Sequence, residues 1–307
     1  MRSPRLNQLP APPPEKAGWP WIEDGAQLPE KMPDGSPWPK VSVITSLYNQ
    51  EQFVEETIRS VLLQGYPDYE HLIINDEGSS DDGLEVVEKY RPWVRCISRP
   101  HSGQSEALNY GFKIAEGDLI GWQNSDDLYG PGSFYHAAIA AKESPDFEVY
   151  HGAVRGFQGF DRDPPWLFEE SSEFSQGAFL EGMCVMNQSM FFRRSVFDSG
   201  LFLRNDLHFA LDIEYFWRLS IEGCRFKLVP EMIGYYRQHQ LAKSTSNVFK
   251  GDREIFHIYR RLVRDKRLDP EIRRKLRSNL WTSLFSAFRK ARKNIHTKLV
   301  PELFYPV

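Results

Sequence analysis

From Val41 to Asp127 short apolar runs alternate with amphipathic stretches. VSVITS (41–46) is brief and rich in β-branched residues, which predicts a buried strand. HLIIN (71–75), VRCIS (94–98) and DLIGWQ (118–123) repeat that texture. Between the first two runs, Val54, Ile58, Val61 and Leu62 share one helical face. Asn49 with Gln52 three residues on predicts a capping box for that helix. Leu84 and Val87 predict a short helix up to Tyr90, and Ala107, Leu108, Phe112 and Ala115 a longer one over 105–115. Strand and helix in strict alternation, joined by short links, predict an α/β fold with a mostly parallel sheet wrapped by helices. Ligands of such sheets sit beyond the carboxyl ends of the strands. Three turns lie there: Thr45–Asn49, Asp76–Asp81 and Asn124–Asp127.

Past residue 150 the pattern is less regular. LHFALDIEYFWRLSIEG (207–223) has helical spacing through Ile213, Phe216, Trp217 and Leu219. Asp269-Pro270-Glu271 predicts a helix start, with a cap, a proline at the first position and an acid near the positive end. Ile272, Leu276, Leu280, Leu284 and Phe288 follow at steps of four. The first forty residues are crowded with proline and tryptophan, which excludes a long helix or a central strand. They read as an extended arm, either laid over the body by its tryptophans or partly disordered. The expected division is an arm (1–40), a main domain (41–240, with halves 41–130 and 131–240) and a basic helical extension (241–307).

Composition narrows the classes. The 307 residues hold 41% hydrophobic and 26% charged side chains, as in ordinary globular proteins. No run is apolar for long enough to span a bilayer, and MRSPRLNQLPAPPPEK has no apolar core, so no secretory leader is expected. Three widely spaced cysteines, Cys96, Cys184 and Cys224, argue against a disulfide frame and a zinc site, making a cytoplasmic setting the default. Residues 241–307 carry 17 Lys and Arg against 6 Asp and Glu, and the rest 21 against 36. An acidic body with a basic tail does not suit nucleic acid. The tail suits anionic lipid at the inner face of a membrane, or a protein partner.

The turns carry the candidate chemistry. Asn124-Ser125-Asp126-Asp127 gathers carboxylates directly after a buried strand. Such a cluster repels itself unless a cation neutralises it, and Mg²⁺ or Mn²⁺ binds through one or two carboxylates plus substrate phosphates. An acidic surface turn capping a helix is the alternative. Asp76-Glu77-Gly78-Ser79-Ser80-Asp81 is either a nucleotide contact or a helix start with Ser and Asp caps.

These segments together resemble the family 2 glycosyltransferases of the GT-A fold. VSVITSLYN (41–49), DEGSSD (76–81), RPHSGQSEALNYGFKIAEGDLIGWQNSDD (99–127) and LHFALDIEYFWRL (207–219) match the family in order and at matching spacing. The resemblance implies inverting transfer of a sugar from a nucleotide-diphosphate donor, such as a UDP-sugar, to a hydroxyl of a saccharide or lipid-linked acceptor. It implies bacterial polysaccharide or glycolipid assembly as the setting. Thr45, Tyr48, Asn49, Asp76, Gln104, Asn124 and Ser125 fall where the family contacts the donor. Asp126 matches the metal-holding acid of the DXD motif, for Mn²⁺ or Mg²⁺. Asp212 matches the general base. Arg237 and His239, in YRQH (236–239), resemble a segment closing on diphosphate and metal.

The chain departs from the family pattern at Asn124, at Glu77 and at Leu211, each standing where an aspartate or other acid is usual. Glu214 is then an exposed competitor for the role of Asp212. Two other readings stay open. A catalytically inactive nucleotide-sugar-binding or scaffolding module is one. A nucleotidyltransferase is the other, disfavoured because SLYNQEQF after the first strand has no Lys or Arg.

Overall fold

The computed structural model describes residues 1–160, 166–182, 184–240, 242 and 248–280. Two compact units divide the chain, Met1–Ser246 and Asn247–Val307. The first is built on β1 (Val41–Leu47), β2 (Tyr69–Asp76), β3 (Arg95–Arg99), β4 (Leu119–Trp122), β5 (Leu128–Tyr129), β6 (Val149–Gln158), β7 (Phe168–Glu170), β8 (Met190–Arg193) and β9 (Phe226–Gln238). Among the described residues these form one sheet ordered β3-β2-β1-β4-β8-β6-β9-β5, with β7 on the side of β6. β3, β2, β1, β4, β6 and β9 run one way, and β8, β5 and β7 oppose them.

The predicted elements of the first half all form. β1 and β2 are buried almost throughout, as strands covered by helices on both faces must be. α1 (Glu51–Leu62) buries Val54, Ile58, Val61 and Leu62 as its spacing requires. α2 (Gly83–Glu88) and α3 (Gln104–Ile114) connect the parallel strands. In register, Leu47 stands opposite Asn75, and Asp76 opposite Arg99. The carboxyl ends of β1, β2 and β3 therefore share one edge.

The second half is more ordered than its pattern indicates. After α4 (Ser133–Glu143), β6 reads VYHGAVRGFQ, and its His, Arg and glycines hide the alternation. β9 runs thirteen residues despite Pro230, because its register against β6 slips between Val229 and Met232. Proline is tolerated at such an irregularity, where no ladder N–H is needed. The slip carries the end of β9 on to Arg237 and His239. α5 (Gln176–Glu181), α6 (Arg194–Asp198) and α7 (Leu211–Ile221) complete the unit.

The capping box at Asn49 does not form. α1 starts at Glu51 after an uncapped Gln50, and Asn49 has a left-handed φ of 51°. Its carboxamide turns instead to the neighbouring turn, where its oxygen accepts from Ser80 N at 2.8 Å.

The N-terminal arm is packed, with Trp19, Trp21, Met32 and Trp38 buried. Its indoles find acceptors: Trp19 Nε1 donates to Tyr129 O at 2.9 Å and Trp38 Nε1 to Pro29 O at 3.0 Å. A short 3₁₀ turn, Leu6–Gln8, interrupts it.

In the second unit α8 (Val248–Leu262) is followed by a helix over 270–280. Asp269 starts it as predicted, its carboxylate accepting from Glu271 N at 2.7 Å. The expected continuation through Leu284 and Phe288 lies outside the described residues. No helix among those described is long and apolar enough to cross a membrane.

Candidate active site

The end of β2 carries Asp76, which is buried. Its Oδ1 accepts from Gly78 N at 2.8 Å, and its Oδ2 lies 2.7 Å from His101 Nδ1. The His101 ring is tilted against Tyr48, centroids 5.4 Å apart, and Tyr48 is 44% exposed. The DEGSSD turn is braced against α1. Ser79 Oγ accepts from Asn49 N at 3.1 Å, and Asp81 Oδ2 accepts from Glu51 N at 2.7 Å. Tyr48, Asn49, Asp76 and His101 thus form one open wall at the strand ends. In the sequence His101 is a lone histidine with no ligand spacing, which marks it as structural or surface.

Thr45 does not belong to that wall. It is fully buried in β1, its hydroxyl 3.0 Å from His71 Nε2. Burial holds that imidazole uncharged by pushing its pKa down to about 3. Thr45 can support the turn but presents no atom to a donor.

The acidic turn follows β4. Asn124 is engaged at both ends of its amide: the oxygen accepts from Trp122 Nε1 at 3.1 Å and Gln104 Nε2 at 3.2 Å, and the nitrogen donates to Asp127 Oδ2 at 2.9 Å. Asn124 and Gln104 are therefore pins of the turn. Ser125 is buried within it. Asp127 is buried too, and accepts from Arg237 N at 2.8 Å and Gln188 Nε2 at 2.7 Å. Burial, then the charge of Asp126, pushes its pKa up to about 7 against those donors. From sequence, Asp127 counts only as one member of the acidic turn, and Gln188, in the pair Asn187-Gln188, reads either as facing the acceptor by resemblance or as making a loop hydrogen bond; in the structure it bonds Asp127. Only burial separates Asp127 from its neighbour.

Asp126 is the open member, its side chain 18% exposed. Its Oδ2 faces His239 Nε2 at 3.0 Å. The His239 ring lies on Phe53, centroids 4.3 Å apart. The end of β9 thus reaches the turn after β4.

Arg237 is placed differently from expectation. Its side chain has no exposed surface. It donates to Asp126 O at 2.7 Å, to Glu56 Oε2 at 2.8 Å and to Gly159 O. Its guanidinium also lies over the rings of Phe53, Phe157 and Phe160. With three of its five N–H groups on internal acceptors and no exposed surface, Arg237 clamps the turn in this structure.

Asp212 stands in the first turn of α7, half-buried, with Oδ1 accepting from Ile213 N at 2.8 Å. Burial outweighs that amide and pushes its pKa up to about 6. Glu214 is no rival: it is buried and paired bidentately with Arg218 at 3.0 and 2.9 Å. The segment before α7 is tied to α3, since Ser105 Oγ donates to Leu207 O at 3.1 Å and Asn109 Nδ2 to Leu203 O at 2.8 Å. A Cβ on Gly103 would lie 3.9 Å from the His208 ring. α3 begins at Gln104, which touches Asn124, so the approach to α7 packs on the helix that opens at the acidic turn.

Among the described residues no group of three or more His, Cys, Asp or Glu side chains is arranged to hold a metal. A smaller set fits one. Asp126 and His239 offer a carboxylate oxygen and an imidazole nitrogen at one point, beside a second carboxylate, Asp127, that burial and then the charge of Asp126 push toward its neutral form. Mn²⁺ and Mg²⁺ accept such sparse protein ligation when phosphate and water complete the shell.

The sheet, with its loaded turns at the strand ends, is the GT-A architecture of glycosyltransferases. A family model, "Glycosyl transferase family 2", matches residues 42–201, just over half of the chain. The chain belongs to that family. An uncharacterized glycosyltransferase, EpsJ, of Bacillus subtilis is 30% identical over 66% of this chain, and the match covers 62% of that relative. One of Rickettsia felis is 36% identical over 37% of this chain, with 19% of its own length covered. The chain thus spans less than two thirds of these relatives. Among solved structures, S. aureus TarS 1–349 in complex with UDP-GlcNAc superposes with a TM-score of 0.65 at 20% identity, covering 85% of this chain and 76% of that one. The mannosyltransferase PcManGT of Pyrobaculum calidifontis, with GDP-Man and Mn²⁺, gives 0.59 at 15%, covering 91% and 81%. Identities this low speak for the shared fold.

Proposed function

We propose that the chain transfers a sugar from a nucleotide-diphosphate donor, a UDP-sugar first among candidates, to an acceptor hydroxyl with inversion. The observation that carries this reading is the meeting of Asp126 and His239 at 3.0 Å beside the open Asp76 wall. Tyr48, Asp76 and His101 offer a ring face and polar atoms to a nucleoside. Asp126 and His239 are the residues that would hold a divalent cation, which would supply positive charge to the departing diphosphate. Asp212 accepts the proton of the attacking hydroxyl, and its raised pKa suits a base working near neutrality. UDP as the nucleotide is supported by the TarS complexes with UDP-GlcNAc and UDP, and the cation by the PcManGT complex with Mn²⁺. The acceptor class we infer is a saccharide or lipid-linked saccharide of a bacterial surface polymer or glycolipid. The basic stretch 241–307 would rest on anionic lipid to meet it.

The test is release of nucleoside diphosphate from a panel of UDP- and GDP-sugars with Mn²⁺, for the wild type and Asp212→Asn. Release by the wild type and its loss in the variant is the expected result. Equal release by both would remove Asp212 from its role. No release from any donor would favour the inactive binding module.

A further inference from the structure

The arm that precedes the family-matched region reaches the candidate site. Phe53, Glu56 and Arg59 stand three residues apart on α1 and so share a face. Arg59 is fully buried and donates only to the arm and Tyr90 among its recorded bonds: to Pro10 O at 2.9 Å, Pro20 O at 3.1 Å, Trp21 O at 3.0 Å and Tyr90 Oη at 3.1 Å. The Trp21 ring lies over its guanidinium, 5.1 Å from the centroid. This docks the arm on α1 at a fixed place.

Glu56, one turn back, links arm and site. Its Oε1 accepts from Trp21 Nε1 at 3.1 Å and its Oε2 from Arg237 Nη2 at 2.8 Å. The ion pair is almost wholly buried, with side chains 0% and 2% exposed. A buried pair tolerates desolvation only when further hydrogen bonds hold both partners. Here Trp21 supplies one for the carboxylate. The carbonyl of Asp126 supplies one for the guanidinium, at 2.7 Å. A second contact runs alongside: Lys16 Nζ sits 3.6 Å from the Phe160 ring centroid, Phe160 packs on Phe53, and Phe53 on His239.

We propose that the N-terminal arm is a positioning part of the active unit, fixing the backbone of Asp126 through Trp21, Glu56 and Arg237. The inference rests on the reading of Asp126 as a cation ligand only for its functional consequence. The relay itself stands on geometry. Trp21 acts through Glu56 and touches no reactant.

Two matched variants of the full chain test it. Trp21→Phe keeps a ring over Arg59 and removes the indole N–H that Glu56 accepts. Trp38→Phe removes the equivalent bond to Pro29 O, outside the relay. The first readout is hydrogen exchange of the peptide over 124–128, where the Asp127 amide donates to Asn124 O. Losing one bond to a charged group should speed that exchange by about tenfold in Trp21→Phe and leave Trp38→Phe at the wild-type rate. The second readout is calorimetry of Mn²⁺ with UDP, where Trp21→Phe should bind several-fold more weakly. Glu56→Gln serves if Trp21→Phe fails to fold, and should move both readouts the same way. Equal exchange at 124–128 in both tryptophan variants would overturn the arm's role. Faster exchange in Trp21→Phe alone, together with no Mn²⁺ binding by the wild type, would uphold the relay and overturn the cation reading.

Discussion

His239 Nε2 stands 3.0 Å from Asp126 Oδ2 although 113 residues separate the two. The contact joins the end of β9 to the turn after β4 and places two donors of different hardness at one point. His239→Ala and Asp126→Ala should each weaken Mn²⁺-dependent binding of UDP. The aspartate change should be the larger, since a hard cation prefers the anionic oxygen. Calorimetry with and without Mn²⁺ reads both. Unchanged affinity in Asp126→Ala would contradict the assignment.

Asp212→Asn should lower turnover by about 10²–10⁴-fold, the contribution of a positioned base, while donor affinity stays unchanged. Initial rates and UDP binding separate the two effects.

The same carboxyl predicts a pH profile. Burial pushes its pKa up to about 6 in the folded chain, against 3.8 for an ordinary aspartate. Activity should rise with pH through about 6 as the base ionises. Stability runs the other way. Because the folded pKa is the higher one, ionising Asp212 costs the folded state; the cost grows from about 3.8 to 6 and is complete above. Asp212→Asn should therefore melt higher than wild type at pH 7.5, with the gap closing below pH 4, as calorimetric scans at several pH values would show.

Asn124→Asp should not strengthen the site, although it restores the acid usual at that position. Asn124 Nδ2 donates to Asp127 Oδ2 at 2.9 Å, so an aspartate would set a carboxylate against one already raised to about 7. The expected cost is on the order of 1–3 kcal/mol, greater at pH 8 than at pH 5. Denaturant unfolding at the two pH values measures it.

Arg237→Met should destabilise the chain by about 3–5 kcal/mol by leaving Glu56 buried and unpaired from its cation. Glu56→Gln in the same chain should recover part of the loss. A surface phosphate contact would show neither effect.

The first four strands were legible because β1, β2 and β4 are short apolar runs, and β3, though polar as RCISR, falls in the same alternation with helices. Their turns were legible because ligands of such sheets gather where Asp76 and Asp126 lie. β6 and β9 were not, because His151, Arg155 and Pro230 break the alternation and only the neighbouring strands make those segments extended. Asp126 and His239 could be named from resemblance to the family. VSVITS places Thr45 in a buried strand, but the sequence could not reveal its partner or the burial of Arg237, since both depend on distant packing. Thr45 meets His71 across the β1–β2 pair, and Arg237 meets Glu56 across 181 residues. His101 was missed because its partner, Asp76, belongs to another strand end.

The central claim is that the Asp76 wall, the Asp126–His239 pair and Asp212 serve one nucleotide sugar. A crystal structure with Mn²⁺ and an unreactive UDP-sugar analogue tests it most directly. The account predicts Mn²⁺ on Asp126 and His239, the diphosphate on the metal, the nucleoside against Tyr48, Asp76 and His101, and Asp212 facing the sugar. Nucleotide bound away from Asp76, or Asp212 turned from the sugar, would contradict it.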